Sequence, residues 1–140
     1  MSHTPADFRP PGYTAVSPYL LVEDAPALID FLTSALGATL VARHDAPEGG
    51  IMHASMRLHD AMIEVSDACP AWPSRQAAVH VYVSDVDAAC RRAVQAGATL
   101  LQPVEDKPYG ERACALQDRW GNHWYVATAL PVQPVRDTPA

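Results

Sequence analysis

From Val79 to Ser84 the chain alternates strictly, with Val79, Val81 and Val83 set against His80, Tyr82 and Ser84. That is the period of two expected of a strand with one buried face. The valine side is predicted to meet helices, and the His80/Tyr82 side to face solvent, a partner subunit or a ligand. Leu28, Ile29, Leu32 and Leu36 recur instead at helical spacing and form one apolar face. Ala89, Cys90, Ala93, Val94 and Ala96 form a smaller one. Two hairpins complete the pattern. The first joins a strand over 52–59, with Met52, Ala54, Met56 and Leu58 on its apolar face and His53, Ser55, Arg57 and His59 opposite, to a strand over 61–66. The second joins strands over 112–117 and 122–128 through a turn at Asp118-Arg119-Trp120-Gly121.

These elements fall into two copies of one unit. Val22-Glu23-Asp24 precedes the first helix and Gly37-Ala38-Thr39-Leu40 follows it; Val83-Ser84-Asp85 and Gly97-Ala98-Thr99-Leu100 bracket the second at nearly the same distance. Asp24 and Asp85 suit helix N-caps, and Pro26 suits a first turn. Gly37 and Gly97 suit helix ends that need positive φ. Strands over 39–43 and 99–102 follow. Each half therefore reads β-α-β-β-β. The fold class is α+β, two such modules forming a cupped mixed β-sheet with helices on its outer face, and a pocket is expected where the copies enclose it.

The domain is predicted over 13–128, with module one at 13–67, a linker at 68–76 and module two at 77–128. The linker is rich in proline. So are an N-terminal arm, 1–12, and a C-terminal tail, 129–140, where proline's missing N–H disfavours helix and sheet.

At 140 residues and 49% hydrophobic the chain suits one domain with a core of its own. Cys69, Cys90 and Cys114 are odd in number and far apart, which suggests neither a disulfide framework nor a zinc knuckle and points to a reducing, cytoplasmic setting. No apolar run approaches the about 18 residues needed to span a bilayer. A net charge of −6 without a basic cluster argues against nucleic acid as a partner. Gly49-Gly50 reads as a hairpin turn, with no helix after it to make a phosphate loop.

With its repeat and its D-x-x-G turn before a last strand, the sequence resembles the vicinal oxygen chelate superfamily, which includes glyoxalase I, extradiol dioxygenases and bleomycin-resistance proteins. The likeness spans about 13–128. It is carried by Ser17-Pro18-Tyr19-Leu20-Leu21-Val22-Glu23-Asp24, the stretch from His80 to Asp87, Tyr109-Gly110-Glu111-Arg112, and Asp118-Arg119-Trp120-Gly121-Asn122-His123-Trp124, which look most like the uncharacterised glyoxalase-like subgroup. The superfamily's enzymes hold a divalent metal with four strand side chains. Matched residue by residue, these fall on Ser17, Glu64, Ala78 and Tyr125, so the resemblance implies that only Glu64 keeps a ligand. Imidazole and carboxylate are the donors such metals favour, and no metal or other cofactor is expected. The alternative is a rearranged divalent-metal site built from His80, Glu64 and His53, serving a lyase, isomerase or dioxygenase.

The residues expected to bind a ligand are Ser17, Tyr19, His53, Glu64, His80, Tyr82 and Tyr125. Glu64 sits among apolar neighbours, where an unpaired carboxylate is costly; it serves either as a base or cation partner or in a pair with an arginine such as Arg57. His80 is either an acid, base or donor, or a neutral ring bonded to a hydroxyl of Tyr19 or Tyr82. Ser17 and His80 have no third group to orient them, so no catalytic residue is assigned. Trp72 lids a pocket, meets a subunit or anchors the linker. Trp124 belongs to the core, and Trp120 covers a hydrophobic edge. The function expected is binding of an organic, cationic or aromatic, antibiotic-like ligand in the cup. Homodimerisation is expected too, since superfamily members pair their sheets.

Overall fold

The computed structural model describes residues 8–131; the predicted arm and tail lie mostly outside them. Module one runs β1 (Tyr19–Val22), α1 (Ala25–Leu36), β2 (Thr39–Asp45), β3 (Ile51–Leu58) and β4 (Ala61–Asp67). Module two repeats it as β5 (Ala78–Tyr82), α2 (Val86–Gln95), β6 (Thr99–Lys107), β7 (Glu111–Gln117) and β8 (His123–Ala129). The two sheets have the same order, β1-β4-β3-β2 and β5-β8-β7-β6, with one parallel pair in each. Tyr19 stands opposite Glu64, and His80 opposite Tyr125. The register thus makes Tyr19 the mate of His80, and Glu64 that of Tyr125.

The repeated motifs do the same local work twice. Asp24 caps α1 by accepting from Ala27 N, and Asp85 caps α2 by accepting from Ala88 N. A second group ties each helix start to the last strand of its module: Asp67 accepts from Ala25 N at 2.8 Å, and its mate Thr128 accepts from Val86 N at 3.0 Å. Gly37 at φ 73° and Gly97 at φ 110° end the helices, in a region that side chains with a Cβ rarely enter.

Module two's closing turn is held by one buried carboxylate. Asp118 accepts from Trp120 N, Asn122 N, Asn122 Nδ2 and Trp124 Nε1, while Asn122 Oδ1 accepts from Ala77 N ahead of β5. Trp124 is in the core, 1% exposed. Trp120 sets its ring edge-on to Phe31 and donates to the Glu23 carbonyl, so the turn of one module is fastened to the helix start of the other.

The helices cover one face of each sheet and pack on each other, and among the described residues no strand of one sheet touches a strand of the other. A single apolar cluster joins both modules through the helices. Val81 lies within it, and Val79 and Val83 pack against it, as the alternation predicts. The opposite faces of the sheets stay open, so the enclosed pocket expected between the copies is not formed within one chain.

Four expectations are corrected. Met52 is 56% exposed, not in the core: His44 pairs with His53 and Asp45 with Ile51, so Met52 is the extra residue of a bulge and Ile51 takes its inward place. Strand β6 does not stop at Gln102 before Pro103; it passes the proline on a sheet edge, where a register shift absorbs the missing donor. Val94 is 44% exposed, one position off the buried stripe of Ala89, Cys90 and Ala93. Trp72 does not anchor the linker onto the core, being 68% exposed.

Candidate functional site

The open face of module one carries Tyr19, His53 and Glu64. His53 Nε2 and Glu64 Oε1 are 3.1 Å apart on adjacent antiparallel strands, each side chain about one-third exposed. His53, not Arg57, therefore pairs with Glu64. The Tyr19 ring lies 6.1 Å from that of His53, and its hydroxyl donates to Ser66. At one end of this face Tyr13, from the segment ahead of β1, meets Ser55 at 2.7 Å and buries it. The other end opens into a hollow of about 690 Å³ lined by Tyr19, Met52, Ser66, Cys69 and Trp72. The bulge at Met52 and the exposed Trp72 give this hollow its apolar rim.

Module two carries His80, Tyr82 and Tyr125, and adds a residue that sequence reasoning missed. Glu111, at the start of β7, is 7% exposed and receives both His80 Nε2 at 3.1 Å and the Tyr82 hydroxyl at 3.0 Å. The His80 and Tyr82 rings are 4.6 Å apart, as two side chains on one strand face allow. Burial pushes the Glu111 carboxyl up, but the His80 and Tyr82 hydrogen bonds and the nearby Lys107 outweigh it and hold the group below its ordinary value. The Glu111 bond in turn raises the Tyr82 phenol, which stays protonated. A hollow of about 310 Å³ is lined by His80, Gln102, Lys107, Tyr109, Glu111 and Tyr125.

The two hollows share no lining residue. Six of the seven predicted ligand-binding residues thus stand in two groups, Tyr19, His53 and Glu64 on one sheet and His80, Tyr82 and Tyr125 on the other. Ser17 precedes β1 and is partly buried, with no hydrogen bond to any of them among the described residues. The signal that could have found Glu111 is its odd company: an acidic residue two positions from Tyr109 and beside Arg112, at the head of an otherwise apolar strand.

The metal implied by the family positions does not fit these residues. A hydroxyl, a carboxylate, a methyl group and a phenol make a poor donor set for a divalent ion. Among the described residues no three His, Cys, Asp or Glu side chains are grouped to hold one. A rearranged site from His80 with Glu64 is not assembled within one chain, because the two stand on separate sheets.

Known proteins place the chain. It is 33% identical over 134 residues to uncharacterised proteins of Mycobacterium tuberculosis and Mycobacterium bovis, covering 88% of this chain and 76% and 85% of theirs. The crystal structure of TioX from Micromonospora sp. ML1 superposes with a TM-score of 0.67 at 26% identity, covering 86% of this chain and all of that one. TnmS3, an antibiotic binding protein from Streptomyces sp. CB03234, has the same fold at TM-score 0.62 and 22% identity, over 84% of this chain and 99% of its own. No helix among the described residues is long and apolar enough to cross a membrane. Residues 12–126 match the family pattern itself, and with the doubled βαβββ architecture this makes the chain a member of the glyoxalase/bleomycin resistance protein/dioxygenase superfamily.

Proposed function

We propose that the protein binds an organic small molecule, cationic or aromatic and antibiotic-like, on its open sheet faces and without a metal. One observation carries the reading: each face sets exposed aromatic rings beside a histidine–carboxylate pair. Tyr19 and Trp72 accompany His53–Glu64, and Tyr82, Tyr109 and Tyr125 accompany His80–Glu111. Rings supply flat apolar area at low entropic cost, and a carboxylate supplies attraction for a cation. That TnmS3 is an antibiotic binding protein supports the reading by fold alone.

The cup is completed by a second copy. Open faces carrying Tyr19, Met52, Trp72, Tyr82 and Tyr109, each more than 40% exposed, are more apolar surface than a monomer leaves to water without use. Pairing of copies covers them, and a homodimer is the expected unit. Sedimentation at two concentrations reads it directly.

Titration of bleomycin and other cationic aromatic compounds against tryptophan fluorescence tests the binding. Trp72 on the rim of its hollow is the reporter, and Trp72→Phe removes the signal. A saturable change with at least one such compound is expected; none with any of them overturns the reading. Elemental analysis of protein purified without chelator tests the clause about metal. Stoichiometric Ni, Zn, Mn or Fe that disappears in Glu64→Ala replaces the reading with a metal-dependent lyase, isomerase or dioxygenase.

A further inference from the structure

Glu111 stands on the open face at the start of β7, whereas at the start of β3 the bulge at Met52 turns Ile51 into the core. A side chain only 10% exposed retains a charge at a cost, and the cost is met here by two hydrogen bonds to its two oxygens.

The consequence lies in the direction of those bonds. An ionised carboxylate accepts and does not donate, so both partners must point their protons at it. Tyr82 spends its hydroxyl proton on Oε1. Neutral His80 must carry its proton on Nε2 to reach Oε2, and its Nδ1 is left with a lone pair and, among the described residues, without a partner. The phenolic oxygen of Tyr82 likewise keeps its lone pairs. The cation nearest the hollow, Lys107, is bonded to Glu105. The His80 ring, which lines the hollow with Tyr125, therefore offers an acceptor, and Glu111 fixes that polarity.

We propose that the module-two hollow is a subsite for a hydrogen-bond donor carried on an aromatic group, an amidinium, ammonium or phenolic hydroxyl, with Glu111 as the positioning residue that acts through His80. The inference rests on the ligand-binding reading above and names the chemistry one face selects. Module one differs: among the described residues the Glu64 side chain is bonded to His53 alone, and it is itself partly open. Face one offers charge directly; face two offers an imidazole acceptor held by a buried charge.

Nitrogen-15 NMR of the ligand-free full chain at about pH 8.5, some two units above an ordinary imidazole, reads the network. The Nε2–H tautomer of His80 is expected in the native protein, with loss of that preference in Glu111→Gln. Phenol and benzamidine, which donate, and anisole and benzoate, which do not, are then titrated while the His80 and Tyr125 resonances are followed. The donors should bind about ten-fold tighter, the difference one hydrogen bond makes. His80→Phe, at an exposed side chain, should narrow the gap without unfolding the protein, and serves, followed at Tyr125, if Glu111→Gln does not fold. An Nδ1–H tautomer, equal affinities, tighter benzoate, or no saturable shift with any probe overturns the proposal. Because the tautomer is read without ligand and the probes are single rings, failure of antibiotic binding alone leaves these results standing.

Discussion

The two modules are alike where the chain must fold and unlike on their open faces. Asp24 and Asp85, Asp67 and Thr128, and Gly37 and Gly97 occupy matching places and do matching work at the helix ends. On the open faces Tyr19 is matched by His80 and Glu64 by Tyr125, and Glu111 stands on a face from which a bulge has turned Ile51 away. Backbone donors at a helix start have the same needs in both halves, so the caps are held in common. Nothing in the fold requires the open faces to agree.

The largest break in this comparison is expected at the turns. Asp118→Ala removes the acceptor of four donors in module two, including buried Trp124 Nε1, and should cost about 3 kcal/mol or more in urea unfolding. Asp60→Ala, in the exposed turn that module one has instead, should change stability by less than about 0.5 kcal/mol. Next come the mates Asp67 and Thr128. Asp67 accepts from Ala25 N and Ile51 N, and its loss in Asp67→Ala should cost about 2 kcal/mol; Thr128→Val, which gives up an uncharged bond from Val86 N and another to the Val83 carbonyl, should cost about 1–2 kcal/mol.

A smaller contrast lies in the helix ends. Gly37→Ala should cost about 1 kcal/mol from backbone strain alone, since no atom crowds its added Cβ. Gly97→Ala should cost more, because φ 110° lies outside the left-handed basin in which Gly37 sits at 73°. Thermal melts of the two variants rank them.

The subtlest expectation is a slope. The Glu111 carboxyl is held below its ordinary value of 4.5 in the folded chain, so between the folded and ordinary values the unfolded chain binds a proton that the native one does not. Its contribution to stability is present above 4.5 and is lost as pH falls through the folded value. Native protein should therefore lose more stability on acidification than Glu111→Gln, measured by urea midpoints from neutral pH downward.

Much of the fold was legible because it is written locally. The valine alternation told which side of β5 is buried, and each Asp–helix–Gly unit marked its own ends. Met52 was misplaced because a bulge inserts one residue and reverses the faces beyond it, a device that alternation alone does not reveal. Glu111 escapes the sequence pattern because alternation starts its strand one residue later, at Arg112, and because its partners are distant in the chain: His80 is 31 residues away and Tyr82 is 29.

The amino-acid sequence by itself determined the two modules, their caps and the polarity of their faces, since each depends on a period or a motif within a few residues. Only the tertiary structure decided that the modules meet through α1 and α2, leaving the faces apart, and that one buried carboxylate sets the hydrogen bonds of two rings. Both depend on packing between segments far apart in the chain, where many pairings bury similar area and only the assembled molecule selects one.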